Sequence, residues 1–137
     1  MNTKTAIERV NEASVNPLGE IRVCDNLKEG QAIRQGDLYL VYSPNESKGE
    51  RLKQTQLAPG NTQGSRHTVD SSVAVYAHPK QNQVITTSNG KFVQGPVIES
   101  SDRFSLLHPE HADHSLPAGR YTTRYQYDPR FDKRVVD

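Results

Sequence analysis

The chain has 137 residues, the usual size of one domain, with 33% hydrophobic residues and a strongly negative mean hydropathy, so its core is small and much of it is loop or solvent-facing strand. Seventeen basic against sixteen acidic side chains leave a formal charge of +1, which removes the electrostatic case for a general nucleic-acid binder. A single cysteine, Cys24, excludes an intrachain disulfide framework and any multi-cysteine zinc or iron-sulfur site.

Near the N-terminus, Ile7 and Val10 stand three apart among Glu8, Arg9, Asn11 and Glu12, which predicts a short amphipathic helix over residues 3–14. This stretch lacks the apolar core of a signal peptide, and no apolar run approaches the ~20 residues needed to cross a bilayer. The expected location is the cytoplasm, with no membrane partner.

From Asn16-Pro17-Leu18-Gly19 onward, short apolar runs are broken by Gly, Pro and Asn about every ten residues, the pattern of an all-β domain. Ile21 to Cys24 predicts a first strand. The Arg34-Gln35-Gly36-Asp37 turn leads into Leu38 to Tyr42, the most strand-like run and the expected central strand. Ser43 to Arg51 holds no apolar residue and reads as a mobile polar loop.

The segment Ala58 to Val69 has two glycines and a proline, so its backbone amides can approach a ligand closely, with Arg66 and His67 at its exit. Its glycine spacing fits neither a Walker loop nor a dinucleotide fingerprint. Val73 to Tyr76 is another strand, and Asn89-Gly90 suits a type I′ hairpin turn. Gly95-Pro96 is expected to end that hairpin, with a separate short strand at Val97 and Ile98. Residues 1–16 are thus a helical segment, 17–127 a β domain and 128–137 an irregular tail docked by Phe131 and Val135.

The stretch His108-Pro109-Glu110-His111 concentrates the most potential chemistry. With Pro109 starting a helical turn, two imidazoles three apart converge on one side. Zinc or iron needs a third ligand, for which His67, Glu110 and Asp113 are the candidates; the reading taken forward uses His67, after its glycine-rich segment, with Glu110 as supporting partner or general base. The prediction is that the loop at 108–111 lies beside the exit of the loop at 60–67.

A hydrolytic triad of Ser65, His67 and Asp70 is disfavoured, because the three sit too close along the chain and no nucleophile elbow surrounds Ser65. Period two along Arg120 to Tyr127 places Tyr121, Thr123, Tyr125 and Tyr127 on one face and Arg120, Thr122, Arg124 and Gln126 on the other. One reading is a tyrosine face on the core. The other is a platform for single-stranded nucleic acid or a nucleotide, using Arg66, Arg120, Arg124 and Tyr125.

Arg-Gln-Gly-Asp at 34–37, Gly64-Ser65-Arg66-His67, His108-Pro109-Glu110-His111 and Leu116-Pro117-Ala118-Gly119-Arg120-Tyr121 together resemble a pattern in small uncharacterised bacterial and phage proteins. Those run Arg-Gln-Gly-Asp, Gly-His-x-His, His-x-Glu-His and Leu-Pro-x-Gly-x-Tyr. They also end in Arg-Glu-Tyr, set against Gln126-Tyr127-Asp128; here Ser65 replaces the first histidine of the second element and Gln126 the glutamate of the last. The resemblance implies no particular activity.

The expected fold is mainly β, a small single-domain sandwich or partly open barrel of seven or eight strands with a short N-terminal helix. The expected function is a non-catalytic interaction or accessory module with a protein partner. The alternatives are a metal-binding domain or metal-dependent enzyme using one divalent zinc or iron at His67, His108 and His111, and the nucleic-acid binder.

Overall fold

The computed structural model describes residues 20–60 and 62–135, so the helix expected over residues 3–14 lies outside the described residues. The described chain is mainly β, with twelve strands: β1 (Ile21–Val23), β2 (Ala32–Gln35), β3 (Leu38–Tyr42), β4 (Arg51–Leu52), β5 (Thr68–Val69), β6 (Ala74–Tyr76), β7 (Val84–Thr87), β8 (Gly90–Ser100), β9 (Phe104–Leu107), β10 (Asp113–Leu116), β11 (Gly119–Asp128) and β12 (Lys133–Arg134). They form two open sheets. The smaller runs β1-β10-β9-β5, with β1 parallel to β10, and the larger runs β2-β3-β11-β8-β6-β4, with β7 on β8 and β12 on β11. Neither closes into a barrel, and no helix among the described residues is long and apolar enough to cross a membrane.

One core joins the sheets. Leu38 and Leu40 of β3, Val75 of β6, Ile98 of β8 and Tyr121 and Tyr125 of β11 meet Val69, Phe104, Leu106 and Leu116 of the smaller sheet. Strand alternation explains the choice: β11 turns its tyrosines inward, where each ring buries a large apolar area and its hydroxyl finds a carbonyl. Tyr121 donates to Pro117 O at 2.7 Å and Tyr125 to Leu57 O at 2.6 Å.

Four local expectations are corrected. Gly95-Pro96 does not end a strand: β8 runs through it as a bulge, where two residues oppose Thr123 alone, so the missing proline N–H leaves no ladder position empty. Gly95 also makes room for Tyr125, whose Cζ would lie 2.8 Å from an added Cβ. The β7–β8 turn is not type I′, because only Gly90 has positive φ while Ser88 and Asn89 do not.

Residues 43–50 form a strap over the outer face of the larger sheet, where charge replaces apolar burial. Arg120 Nη1 donates to Glu46 O at 2.7 Å, Lys48 Nζ lies 2.6 Å from Glu99 Oε1, and His78 Nε2 lies 2.6 Å from Glu46 Oε2. At the C-terminal end, Phe131 is 63% exposed and meets Arg130 and Lys133 of its own segment rather than the core. That segment is held instead by β12 on β11, by Arg134 donating to Pro59 O and Ser65 Oγ, and by Val135 N donating to Gln126 O at 2.8 Å.

Candidate functional site

The Arg34–Asp37 stretch forms the β2–β3 hairpin tip. Gly36 takes φ +60° and Asp37 a negative φ, as in a II′ turn, and this sets Gln35 and Asp37 to either side of the tip. Both are buried, Gln35 at 1% and Asp37 at 6% exposure. Gln35 Nε2 donates to Leu106 O at 3.1 Å and Ala112 O at 2.8 Å, so the hairpin is tied to β9 and to the chain entering β10.

His67 lies between these two side chains, fully buried. Its Nδ1 is 2.9 Å from Gln35 Oε1 and its Nε2 is 3.0 Å from Asp37 Oδ1. The proton positions follow from the partners. The Gln35 amide nitrogen already donates to two carbonyls, so its oxygen faces His67 and Nδ1 carries a hydrogen. Nε2 then shares one further proton with the Asp37 carboxyl.

His108 stacks on His67, with ring centroids 4.3 Å apart, and His111 stacks on His108 at 4.5 Å. The loop at 108–111 therefore lies beside the exit of the 60–67 loop. The helical turn expected after Pro109 is absent, and the segment is an irregular bend. Glu110 N donates to His108 Nδ1 at 3.0 Å, so Nδ1 bears no hydrogen, while Nε2 donates to Gly64 O at 3.1 Å. This is a neutral tautomer, and its pKa is pushed down to about 4, first by burial and then by the neighbouring His67 charge. His111 caps the stack over Gly36, where an added Cβ would stand 2.6 Å from its Nε2.

The three predicted imidazoles are thus brought together, but as a column of rings. Metal ligation uses the in-plane nitrogen lone pairs. At His67 and His108 both nitrogens already face protein partners, and no group of three or more His, Cys, Asp or Glu among the described residues is arranged to hold a metal ion. Glu110 supplies its backbone N–H while its side chain is exposed. Ser65, where the resembling pattern has histidine, is bonded to Thr62 Oγ1 at 2.9 Å and to Arg134 at 3.2 Å.

The residues proposed for a nucleotide platform do not share one surface. Tyr125 is 2% exposed with its hydroxyl on Leu57 O, so its ring is core and offers no stacking face, which corrects that expectation. Arg120 is paired with Glu99 at 2.8 Å. Arg124 is half-buried on the outer face of β11, and Arg66 is exposed after the short 3-10 turn Gln63–Ser65. Sequence reasoning missed Gln35 and Asp37 as partners of His67. The available signal was two polar side chains flanking a turn glycine directly before the most apolar strand.

The matched family spans this whole arrangement. The model described as Domain of unknown function (DUF8820) matches residues 34–126, from the arginine of the hairpin tip to the outer end of β11, and the chain belongs to that family. No curated protein matches. No solved structure matches either.

Proposed function

We propose that the chain is a non-catalytic interaction module that binds a protein partner through the outward face of its smaller sheet. The observation that supports this reading is a set of exposed apolar side chains on that face, interleaved with Asp113, Ser115 and Ser105. Ile21 and Val23 stand opposite Asp113 and Ser115, and Ser115 stands opposite Ser105, two residues from Leu107. Ile21, Val23 and Leu107 therefore share one face, turned away from Phe104, Leu106 and Leu116, and are 36%, 66% and 37% exposed. Beside these side chains, β1 ends the sheet order among the described residues, and such an edge is a common site of strand addition. The histidines, by contrast, act within the fold, clasping the hairpin tip to the smaller sheet.

The test places a photo-crosslinking residue at Val23 in the source cells, with a second at exposed Phe131 as control. The reading expects a discrete protein adduct from position 23 that disappears when Leu107→Asp is added. Equal labelling from both positions, or none from position 23, would overturn it.

A second reading, a metal-binding domain, is supported by the contact of three imidazoles. It requires His108 Nδ1 to give up the Glu110 N–H and its ring to turn out of the stack. Elemental analysis of untagged protein tests it: one zinc or iron per chain, lost in both His108→Gln and His111→Gln, would establish it, and substoichiometric metal unchanged by those substitutions would end it.

A further inference from the structure

Arg120 and Arg124 lie on the same outward face of β11, yet their surroundings differ. Arg120 holds Glu99 through Nε at 2.9 Å and Nη2 at 2.8 Å, and Glu46 O through Nη1. The guanidinium of Arg124 has no hydrogen bond or ion pair among the described residues, and its Nε is shielded from solvent without a partner. Burial pulls its pKa below the ordinary arginine value, and the nearest opposing influence is Glu46. A shielded donor without an acceptor destabilises a fold unless something else supplies one.

Arg124 forms the floor of an open-sided cavity of about 370 Å³. Its walls are the strap (Ser43, Asn45 and Glu46), the β7–β8 turn at Ser88, and the loop at Glu29 that leads toward β2. A guanidinium fork is matched by the two oxygens of a carboxylate or phosphate. The wall decides between them. Glu46 Oε2 is already held by His78, so Glu29 is the wall's exposed carboxylate; acidic groups in the wall disfavour a dianion and suit a ligand whose carboxylate meets Arg124 and whose ammonium meets Glu29, with hydroxyl and amide groups between. The volume suits a small polar molecule.

We propose that this cavity binds a small zwitterion of the amino-acid class, with its carboxylate on Arg124 and its ammonium toward Glu29. The experiment is a ¹⁵N-resolved NMR titration of the full chain with glycine, and separately with acetate and inorganic phosphate. The proposal expects saturable shifts at the Arg124 Nε–H and at the Gly30 and Ser88 amides with glycine, weaker ones with acetate and none with phosphate. Arg124→Gln should weaken glycine at least about tenfold, the loss of a charge-assisted pair of hydrogen bonds. Arg124→Lys should weaken it too, because an ammonium lacks the fork, and this variant carries the test if the glutamine variant does not fold. Glu29→Gln should weaken glycine while sparing acetate. Glycine shifts that persist unchanged in the arginine variants, phosphate binding in preference to glycine, or no saturable shift with glycine would each overturn the assignment.

Discussion

Acidification between pH 6.5 and about 4 acts on two imidazoles that the fold keeps neutral. His114 of β10 is 6% exposed, and its pKa is pushed down to about 4 by burial and then by the like charge of Arg22, with Glu20 opposing. His108, 3% exposed, is also pushed down to about 4, by burial and by His67 and His111, against the Gly64 carbonyl and Asp37. In the unfolded chain both return to about 6.5. Within that window the unfolded state binds more protons, so stability is complete above pH 6.5 and falls as the pH drops toward 4. The gap between 6.5 and about 4 corresponds to about 3 kcal/mol for one imidazole, and the two together rival the roughly 5–15 kcal/mol that holds a typical domain. Urea unfolding followed by circular dichroism across this range should show stability falling by up to about 2.7 kcal/mol per pH unit where both groups titrate. Arg22→Gln should flatten the slope by letting His114 protonate more easily. Stability that stays level from pH 6.5 to 4.5, or NMR titration placing either imidazole near 6.5, would refute the reasoning.

Gly95→Ala should lower stability by about 2–4 kcal/mol in urea titration, because the added methyl meets Tyr125 Cζ at 2.8 Å and Thr123 Cγ2 at 3.1 Å deep inside the larger sheet. Tyr125→Phe should lower it by about 1–2 kcal/mol, since it leaves the buried Leu57 carbonyl without its donor, and an unchanged midpoint would contradict that bond. Gly36→Ala combines a positive φ with a methyl 2.6 Å from His111 Nε2, but His111 is only half-buried and its ring can turn away. A loss of about 1 kcal/mol is expected, together with loss of the ring-current shift between His108 and His111.

The alternation in Arg120 to Tyr127 was legible in the sequence because side chains of a strand obey period two whatever surrounds them, and the inward tyrosines followed from it. The approach of the 108–111 loop to His67 was legible as well, from a glycine-rich segment able to bend and a histidine pair short of a third partner. Ring orientation was not. It depends on Gln35 and Asp37, about thirty residues away from His67, and local spacing carries no information about such a pairing. Pro96 misled for a related reason: a proline reads as the end of a strand, and only the paired register shows that a bulge removes the need for its N–H. Residues 43–50 misled because an absence of apolar side chains was equated with mobility, although Glu46 and Lys48 fix the strap through charge.

The claim that the histidine column is an internal clasp is tested most directly by long-range ¹H–¹⁵N NMR of the imidazole nitrogens at neutral pH, before and after equimolar zinc. The account predicts His108 as the neutral form with hydrogen on Nε2 and a bare Nδ1, and His67 with hydrogen on Nδ1, with neither pattern altered by the metal. A His108 Nδ1 resonance that moves to a metal-bound position on adding zinc, or a His67 Nδ1 without hydrogen, would contradict it.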